Sequence, residues 1–482
     1  VPVDDKKTFE LLANGQTEGL FQLNGSGMTR YLKELKPTSI HDINAMVALY
    51  RPGPIETIPE YIKRKHNPSL IKYMDPRMKK FLAESYGLIV YQDDLLFCAI
   101  ELAGYNWEEA DKFRKAVGKK IPKEMAAQHE KFTQGIIKNG QTSVFAEKLW
   151  KLFEPFQAYG FNKAHAASYG RVAYQTAYMK AHYPVEYMTA ILTAESGDVE
   201  KISEIIEECK NMKIAVLPPN INESFGGFTC LPEEGIVIDN KNKSTKIRFG
   251  FYTIKNLGTD ISDAIINERK INGKFKSITD FLDRIKHKNL NKKSMEALIK
   301  SGCFDDLAER GSLLFNLEDM LAYNHQINQN ENQTSLFGEL SEEGAHGFKL
   351  KKAEPAKMTD KLLWEKELLG LYISGHPLDR LRDKLKSRDI NIKKIKEELG
   401  NGYPVTIAGI IENVRQVVTR GNERMAFLKI ADLTDSIEAV VFPSIFKDSI
   451  DIIVAEKCIA LTGKVSNRNG EKSIIIEALK EI

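Results

Sequence analysis

The segment from Tyr159 to Pro184 constrains the fold of this chain more than any other. Gly160 permits a tight backbone approach, and an amide, an ammonium group and an imidazole follow it directly, at Asn162, Lys163 and His165. Beyond them, residues recur at helical spacing and predict a long helix with a seam for close packing: Ala166, Tyr169, Ala173 and Ala177. The unpaired N–H groups at such a helix start suit an anion, although a capped, buried helix with a solvent-reaching lysine would give the same pattern.

A second basic helix end lies upstream. Asn106 and Glu109 have the spacing of a capping box, which predicts a helix that ends at Gly118. Lys112 and Lys115 each have an acidic residue four positions earlier, as on a solvated helix surface. No acidic residue stands at that spacing from the other basic side chains here, Arg114, Lys119 and Lys120. Two basic helix ends favour a polyphosphate ligand more than one does.

The composition is that of a soluble, cytoplasmic protein. Hydrophobic residues make up 42% and charged residues 28%, and a length of 482 residues predicts about three domains. The net charge is only +3, so any polyanion site must be local. No apolar run is long enough to span a membrane, and the start at Val1 predicts that the sequence begins inside a longer protein. Scattered cysteines without a C-x-x-C pair favour reduced thiols over zinc or disulfides: Cys98, Cys209, Cys230, Cys303 and Cys458.

Four long motifs follow one another in the N-terminal part of the chain: Ala48 to Pro54, Tyr86 to Gln92, Ala110 to Lys120, and Gly160 to His165. In order and spacing they resemble the fingers region of the bacterial DNA polymerase III alpha subunit, and the resemblance continues to the C-terminus. It implies a multidomain fold with mainly α-helical fingers (residues 1–195), an α-helical helix-hairpin-helix module and a C-terminal all-β OB-fold barrel. By this resemblance the chain is identified as a C-terminal portion that lacks the PHP and palm domains.

In that family, the basic helix and the turn before the long helix face the incoming deoxynucleoside triphosphate. The resemblance therefore assigns nucleotide contacts to Arg51, Arg114, Lys115, Lys119, Lys120, Asn162, Lys163 and His165. Two roles stay open for Arg51, which either reaches nucleotide or ties down the rigid turn that follows it. Gln92 contacts the template or caps a helix. The chain departs from the family where Lys115 replaces an arginine, Ala164 a serine, and Asp93-Asp94 a glutamate–glutamine pair; a lysine lacks the bidentate fork of arginine.

The metal ions of nucleotidyl transfer are expected to lie outside this chain. Such ions, Mg²⁺ in this family, are held by carboxylates that the family places in its palm, N-terminal to the fingers. The sequence contains no D-x-D, and adjacent aspartates in a strand point to opposite faces: Asp4-Asp5, Asp93-Asp94 and Asp305-Asp306. We therefore expect no catalytic residue, no metal site and no primer extension from this chain alone.

Residues 196–345 are expected to bind duplex DNA and the sliding clamp. The segment from Ile254 to Gly258 is similar to a helix-hairpin-helix turn that offers backbone N–H groups to a DNA phosphate; Asn256 replaces its first glycine but tolerates the left-handed conformation. The predicted DNA contacts of this module are Lys255, Asn256, Gly258, Lys292 and Lys293. A polar, low-complexity loop follows. Within it, Gln333, Leu336 and Phe337 resemble the short motif by which these polymerases bind their clamp.

The last part of the chain reads as a connecting region, 346–403, and an OB-fold, 404–482. Five alternating strands are predicted: Val405–Ile410, Met425–Ile430, Ile437–Phe442, Cys458–Lys464 and Ser473–Ala478. Arg415, Arg420 and Arg424 are expected to contact single-stranded DNA. Phe427 would supply a stacking surface beside these arginines, but its place in the middle of a strand favours a core residue.

The resemblance implies a DNA-directed DNA polymerase for chromosomal replication. Its expected partners are primed double-stranded and single-stranded DNA, deoxynucleoside triphosphates, the sliding clamp and other polymerase III holoenzyme subunits, without a membrane. One alternative is the error-prone paralogue of the polymerase, against which the clamp motif argues. The other is a non-catalytic DNA-binding or scaffold protein with the same domains.

Overall fold

The structure is a computed structural model that describes residues 1–119, 122–153, 161–238, 241–330, 348–386, 388–419, 421–468 and 471–482. It divides into two compact units. The first consists of Val1–Ala215 with Cys230–Ile247, and the second of Val216–Thr229 with Arg248–Ile482.

The first unit is mainly α-helical. Its helices are α1 (Lys6–Ala13), α2 (Ser26–Leu35), α3 (Ile40–Leu49), α4 (Ile58–His66), α5 (Lys79–Leu82), α6 (Gln92–Ala103), α7 (Trp107–Lys119), α8 (Pro122–Lys138), α9 (Ser143–Lys151), α10 (Lys163–His182), α11 (Pro184–Ala194) and α12 (Val199–Asn211). Two strands, β2 (Thr229–Ile238) and β3 (Lys241–Arg248), lie mainly in this unit and are hydrogen-bonded neighbours, while the short strand β1 (Ala215–Leu217) begins at its last residue before the second unit.

Two apolar cores hold the helices of this unit. One gathers α1, α2 and α3 around α10, and its buried members include Leu12, Met46 and Tyr174. The other gathers α6 to α9 around the rings of Phe113 and Phe132, which stack with centroids 5.5 Å apart. Each core is contributed by several helices, so the position of any one helix start is fixed by packing along its whole length.

The small-residue seam predicted for α10 is confirmed. Ala166, Ala173 and Ala177 are fully buried, whereas Tyr169 is only partly buried. Gly170 lies on the same face, and a Cβ atom there would come within 1.9 Å of the Asn44 side-chain oxygen. The seam therefore lets α10 approach α3 closely, which fixes where α10 begins.

The capping signals predicted for α7 are also present. The Asn106 side chain accepts from the Glu109 N–H at 2.9 Å, and the Asn106 N–H donates to Glu109 at 3.0 Å. The predicted end at Gly118 is wrong, since the helix continues to Lys119.

The second unit joins a helical module to a barrel. Its helices are α13 (Thr259–Asn272), α14 (Ile278–Arg284), α15 (Lys292–Lys300), α16 (Arg310–Phe315), α17 (Leu317–Asn330), α18 (Met358–Leu369), α19 (Arg382–Lys386), α20 (Ile392–Glu398) and α21 (Pro443–Asp448). Its long strands are β4 (Pro404–Val418), β5 (Arg424–Ala431), β6 (Ser436–Val441), β7 (Cys458–Arg468) and β8 (Glu471–Glu481).

These long strands form a closed barrel in the order β4-β5-β6-β8-β7. Neighbours are antiparallel except for β6 and β8, which are parallel. All five predicted strands are present; four are longer than predicted, and β6 has the predicted length but begins and ends one residue earlier. Helix α21 was not predicted. The apolar core of the barrel also takes in Ile392 and Ile395 of α20, which precede the predicted start of the OB-fold. The predicted fold class is confirmed. No helix among the described residues is long and apolar enough to cross a membrane.

Candidate nucleotide and nucleic-acid sites

The starts of α6 and α10 are joined by their backbones. Tyr91, the residue before α6, and Phe161, two residues before α10, form a parallel β-bridge. The Gln92 N–H donates to the Phe161 carbonyl at 3.0 Å. Two helix N-termini that are far apart in sequence therefore lie side by side, and we call the side chains around them the two-helix site: Arg51, Gln92, Arg114, Phe161, Lys163 and His165.

Two of the first three backbone N–H groups of α10, those of Lys163 and His165, are already paired, which agrees with the capped helix that the sequence left open as an alternative. Asp93 Oδ2 accepts from the Lys163 N–H at 2.7 Å, and Asn162 caps the helix by accepting from the His165 N–H at 3.0 Å. Asp93 lies 70 residues earlier in the chain, so no local pattern could place it there. Any phosphate at this site would be held mainly by side chains, or would have to displace Asp93.

Arg114 lies at the two-helix site. Its Nη1 donates to Gln92 Oε1 at 3.2 Å, and its Nη2 donates to Asp111 Oδ1 at 2.7 Å. The partner at three residues' spacing was overlooked in the sequence, where only four-residue spacing was considered. Lys115 pairs with the same carboxylate at 2.6 Å, as predicted for a solvated face. Hydrogen bonds from Lys115 and Arg114 lower the pKa of Asp111, so this carboxylate stays ionised and pairs with both cations.

Aromatic rings position the remaining cations. The Arg51 guanidinium lies 4.1 Å from the Phe161 ring centroid, and the Lys163 ammonium lies 5.8 Å from that of Tyr91. Lys163 also pairs with Glu84 at 3.0 Å. The structure thus brings Arg51, Arg114, Asn162, Lys163 and His165 to the adjoining helix starts. Lys120 and the side chain of Lys119 lie outside the described residues.

Asp94 is a buried carboxyl beneath this site that the sequence reasoning gave no role. Its side chain is 1% exposed, and its Oδ2 accepts the N–H groups of Val90 and Tyr91 at 2.8 Å each. Burial raises its pKa to about 7, against the opposing effect of those two hydrogen bonds and of Lys163. Asp94 therefore fixes the backbone at Val90 and Tyr91, and Tyr91 forms the β-bridge to Phe161.

The predicted hairpin has the expected backbone. Asn256 has a φ of 69°, the left-handed conformation anticipated for the position of a missing glycine. Gly258, with a φ of −71°, is the N-cap of α13. In the companion segment, Asn291 caps α15 by accepting from the Ser294 N–H at 3.1 Å. Lys292 pairs with Glu318 at 3.0 Å across two highly exposed side chains, while Lys255 and Lys293 are exposed.

The barrel carries an open groove of about 660 Å³ on the outer face of β4, β5 and β6. We call it the barrel groove, and it is lined by Lys396, Asn413, Arg415, Phe427, Leu428, Lys429, Ser436, Ile437, Glu438 and Lys472. Arg415 is one of the predicted DNA contacts, and Arg424 is exposed at the start of β5. Arg420 lies outside the described residues. The prediction missed Lys396, Lys429 and Lys472.

The assignment of Phe427 to the core is wrong. Its neighbours Ala426 and Leu428 are fully buried, so strand alternation turns Phe427 outward, where it is partly exposed. The Arg415 guanidinium lies 4.8 Å from the Phe427 ring centroid, directly opposite it in the β4–β5 ladder. An exposed aromatic ring under an arginine can stack a nucleic-acid base.

Comparisons with known proteins agree along nearly the whole chain. Residues 1–140 match the model of the bacterial DNA polymerase III alpha subunit finger domain, 213–313 a helix-hairpin-helix motif, and 405–482 the OB-fold nucleic acid binding domain. The DNA polymerase III subunit alpha of Thermus aquaticus is 39% identical over 92% of this chain. Those of Aquifex aeolicus and Borreliella burgdorferi are 38% and 37% identical over 96% and 100% of it. The chain belongs to the DNA polymerase III alpha-subunit family.

The chain spans 36%, 38% and 42% of the lengths of these three polymerase III alpha subunits. The finger match contains Arg51, Gln92 and Arg114, and the OB-fold match contains Arg415 and Phe427. Lys163 and His165 lie beyond the finger match, but the bridge between Tyr91 and Phe161 joins them to it.

The described residues do not fit the Mg²⁺ site of a polymerase III alpha subunit. Within the described ranges, no group of three or more His, Cys, Asp or Glu side chains could hold a metal ion. Each adjacent aspartate pair includes a carboxylate engaged by protein groups: Asp5 by Thr8 and His182, Asp94 by Val90 and Tyr91, and Asp305 by Arg310.

Proposed function

We propose that this chain supplies the nucleotide-binding fingers, the duplex-binding module and the OB-fold of a replicative DNA polymerase III alpha subunit. The full-length protein would transfer deoxynucleotides to a primer 3′ end, directed by a template, in the bacterial cytoplasm. The observation that carries the proposal is the backbone bridge at the two-helix site. It brings Arg114, Lys163 and Arg51 to one place from three separate helical regions, as a triphosphate with several negative charges requires.

Within this proposal the side chains have distinct tasks. Arg114 offers a planar fork of N–H donors to a phosphate, for which it would exchange its contact with Asp111. Lys163 adds a point charge, and Gln92 orients Arg114 through its amide oxygen. Metal ions held elsewhere in the full-length protein would stabilise the attacking and leaving oxygens.

The two nucleic-acid modules would hold the DNA. Backbone N–H groups of the Asn256 hairpin and the lysines near it grip duplex phosphates without reading sequence. The barrel groove, with Arg415 over Phe427, suits an unpaired strand. The binding of primed DNA should therefore weaken steeply as salt rises, because phosphate contacts release counterions.

The test uses primer extension. The full-length protein that carries this segment should extend a primer with the nucleotide that the template specifies, whereas the 482-residue chain alone should bind primed DNA and extend nothing. Extension by the purified chain would refute the expectation that its metal site lies elsewhere. A full-length protein that binds DNA and never extends a primer would favour the scaffold alternative.

We further propose a contact with the sliding clamp through Gln333, Leu336 and Phe337, which lie outside the described residues. Burial of two apolar side chains contributes roughly 1.5–3 kcal/mol each, which is most of a micromolar affinity of about 8 kcal/mol. A labelled peptide spanning residues 328–340 should bind the clamp of the same organism in fluorescence anisotropy. The peptide with both apolar residues replaced by alanine is the control, and equal binding of the two would remove this contact. Other holoenzyme subunits remain proposed partners of the whole protein.

A further inference from the structure

We propose that α20 and the start of β8 extend the barrel groove, so that Lys396 and Lys472 bind a backbone phosphate of a single strand whose base stacks on Phe427. This inference rests on the proposed role of the barrel in binding single-stranded DNA. It adds two cations that lie outside the strands β4, β5 and β6, one of them in the region that the sequence analysis assigned to a connector.

Helix α20 is held firmly against the barrel. Ile392 and Ile395 are fully buried in the barrel core. The first N–H of the helix, that of Ile392, donates to Asp432 Oδ2 at 2.8 Å, and the next one donates to Thr434 Oγ1 at 3.3 Å. Asp432 and Thr434 belong to the turn between β5 and β6. The β5–β6 turn thus caps the helix, which places Lys396 at a defined position beside the groove.

Lys472 approaches the same place from the other side. Its ammonium donates to the Ile395 carbonyl at 3.1 Å, in the last turns of α20. Lys396 and Lys472 line the groove together with Phe427 and Lys429. Two ammonium groups therefore lie at one helix end, next to the partly exposed ring of Phe427. Ammonium groups attract a backbone phosphate and an aromatic ring stacks a base, so together they suit a single strand.

The strand register relates β8, which carries Lys472, to β4, which carries Arg415. On the outer face, Asn413 stands opposite Lys429, Lys429 opposite Glu438, and Glu438 opposite Ser473, the residue after Lys472. Three such steps at the spacing of neighbouring strands cover roughly 14 Å. At a rise of roughly 3.4 Å per nucleotide along a strand, about four nucleotides cover that distance. A bound strand can therefore run across the sheet from Arg415 to Lys472.

Carboxylates pair with three of the groove's cations, among them Lys429, which lies 3.3 Å from Glu412. Lys396 pairs with Asp435 at 2.9 Å, and Arg415 lies 3.9 Å from Glu438. A DNA phosphate at Lys396 must displace Asp435, which acts as an internal competitor. The removal of this acidic charge should therefore strengthen DNA binding, whereas the removal of a groove cation should weaken it.

The experiment measures the binding of a fluorescently labelled oligo(dT) to the 482-residue chain by anisotropy across a series of salt concentrations. Lys396→Ala and Lys472→Ala should each weaken binding roughly three- to tenfold at low salt and reduce the salt slope by about 0.7, the value for one phosphate of a single strand. Asp435→Asn should tighten binding about two- to fivefold, the range for an exposed ion pair. The asparagine keeps an oxygen for the Ser436 N–H, which Asp435 accepts at 2.7 Å.

Lys394→Ala is the matched control. Lys394 lies on the same helix two positions from Lys396, on a different face, and does not line the groove. Equal losses from Lys394→Ala and Lys396→Ala would overturn the inference, as would weaker binding by Asp435→Asn. If Phe427→Ala and Arg415→Ala also leave binding unchanged, the proposed role of the whole groove fails. If Phe427→Ala and Arg415→Ala weaken binding but Lys396→Ala and Lys472→Ala do not, the groove binds DNA and its proposed extension to α20 is wrong.

Discussion

In the two-helix site, backbone contacts between distant segments position the cations, whereas in the barrel groove the side chains project from adjoining strands. The Arg114 guanidinium donates a hydrogen bond to Gln92. Gln92 follows Tyr91, whose β-bridge to Phe161 joins the two helix starts. Arg415 and Phe427 meet only because they are opposite each other in one ladder. The two-helix site therefore depends on the folding of the whole first unit, because segments that are distant in sequence position its cations. The barrel groove depends on strand register and exposes its binding groups to solvent.

The largest expected effect is a pH dependence of the stability of the first unit, which contains the two-helix site. The pKa of Asp94 is raised by burial to about 7, above the 3.8 of an ordinary aspartate, so the folded chain binds a proton that the unfolded chain releases. Its contribution to stability is full below pH 4 and is lost as pH rises to 7, by up to about 4 kcal/mol at 1.36 kcal/mol per unit. Asp94→Asn should make the free energy of unfolding of the first unit less dependent on pH in that window.

Urea unfolding at pH 5 and pH 8, followed by the fluorescence of a probe in the first unit, measures this effect. Asp260→Asn is the control, because Asp260 is an exposed aspartate in the first turn of α13. A wild-type chain and an Asp94→Asn variant that lose equal stability between the two pH values would show that Asp94 is ionised throughout. The two-helix site would then rest on a buried, charged carboxylate, whereas the charges of the barrel groove are exposed to solvent.

The next effect tests whether the two sites act separately. In the full-length protein, Arg114→Ala should lower kcat/KM for nucleotide incorporation about ten- to hundredfold, because a charge-assisted contact to phosphate contributes roughly 1.5–3 kcal/mol. Phe427→Ala should weaken oligo(dT) binding by about 1–3 kcal/mol, the range for one stacked base. Each variant should leave the other measurement unchanged.

Lys112→Ala is the control for Arg114, since Lys112 stands on the same helix and pairs with Glu108 at 2.7 Å among exposed side chains. A loss of oligo(dT) binding in Arg114→Ala, equal to that in Phe427→Ala, would mean that both residues serve one nucleic-acid surface. The assignment of Arg114 to a separate nucleotide site would then be wrong.

The two sites also differ in how far the sequence could predict them. Strand alternation located every barrel strand, but its phase was misread at Phe427, because only the burial of Ala426 and Leu428 shows which face is inside. The capping box of Asn106 and Glu109 was readable because it is local. Asp93 on the Lys163 N–H was not readable, since a contact across 70 residues depends on tertiary packing. The pair of Arg114 with Asp111 was readable at three-residue spacing and was overlooked.

The smallest expected effect concerns the hairpin, which is proposed to contact DNA through backbone N–H groups, whereas the two-helix site and the barrel groove offer side chains. Asn256 has a φ of 69°, and a left-handed conformation costs an ordinary L-residue roughly 1–2 kcal/mol, whereas asparagine and glycine adopt it readily. Asn256→Ala should therefore destabilise the second unit by about 1 kcal/mol and weaken the binding of duplex DNA, because the strained hairpin no longer holds its N–H groups in place. Asn256→Gly should leave both nearly unchanged. Urea unfolding and anisotropy with a labelled duplex measure the two quantities. If alanine and glycine behave alike, the backbone conformation of Asn256 does not govern binding, and the hairpin would work through its exposed lysines as the barrel groove does.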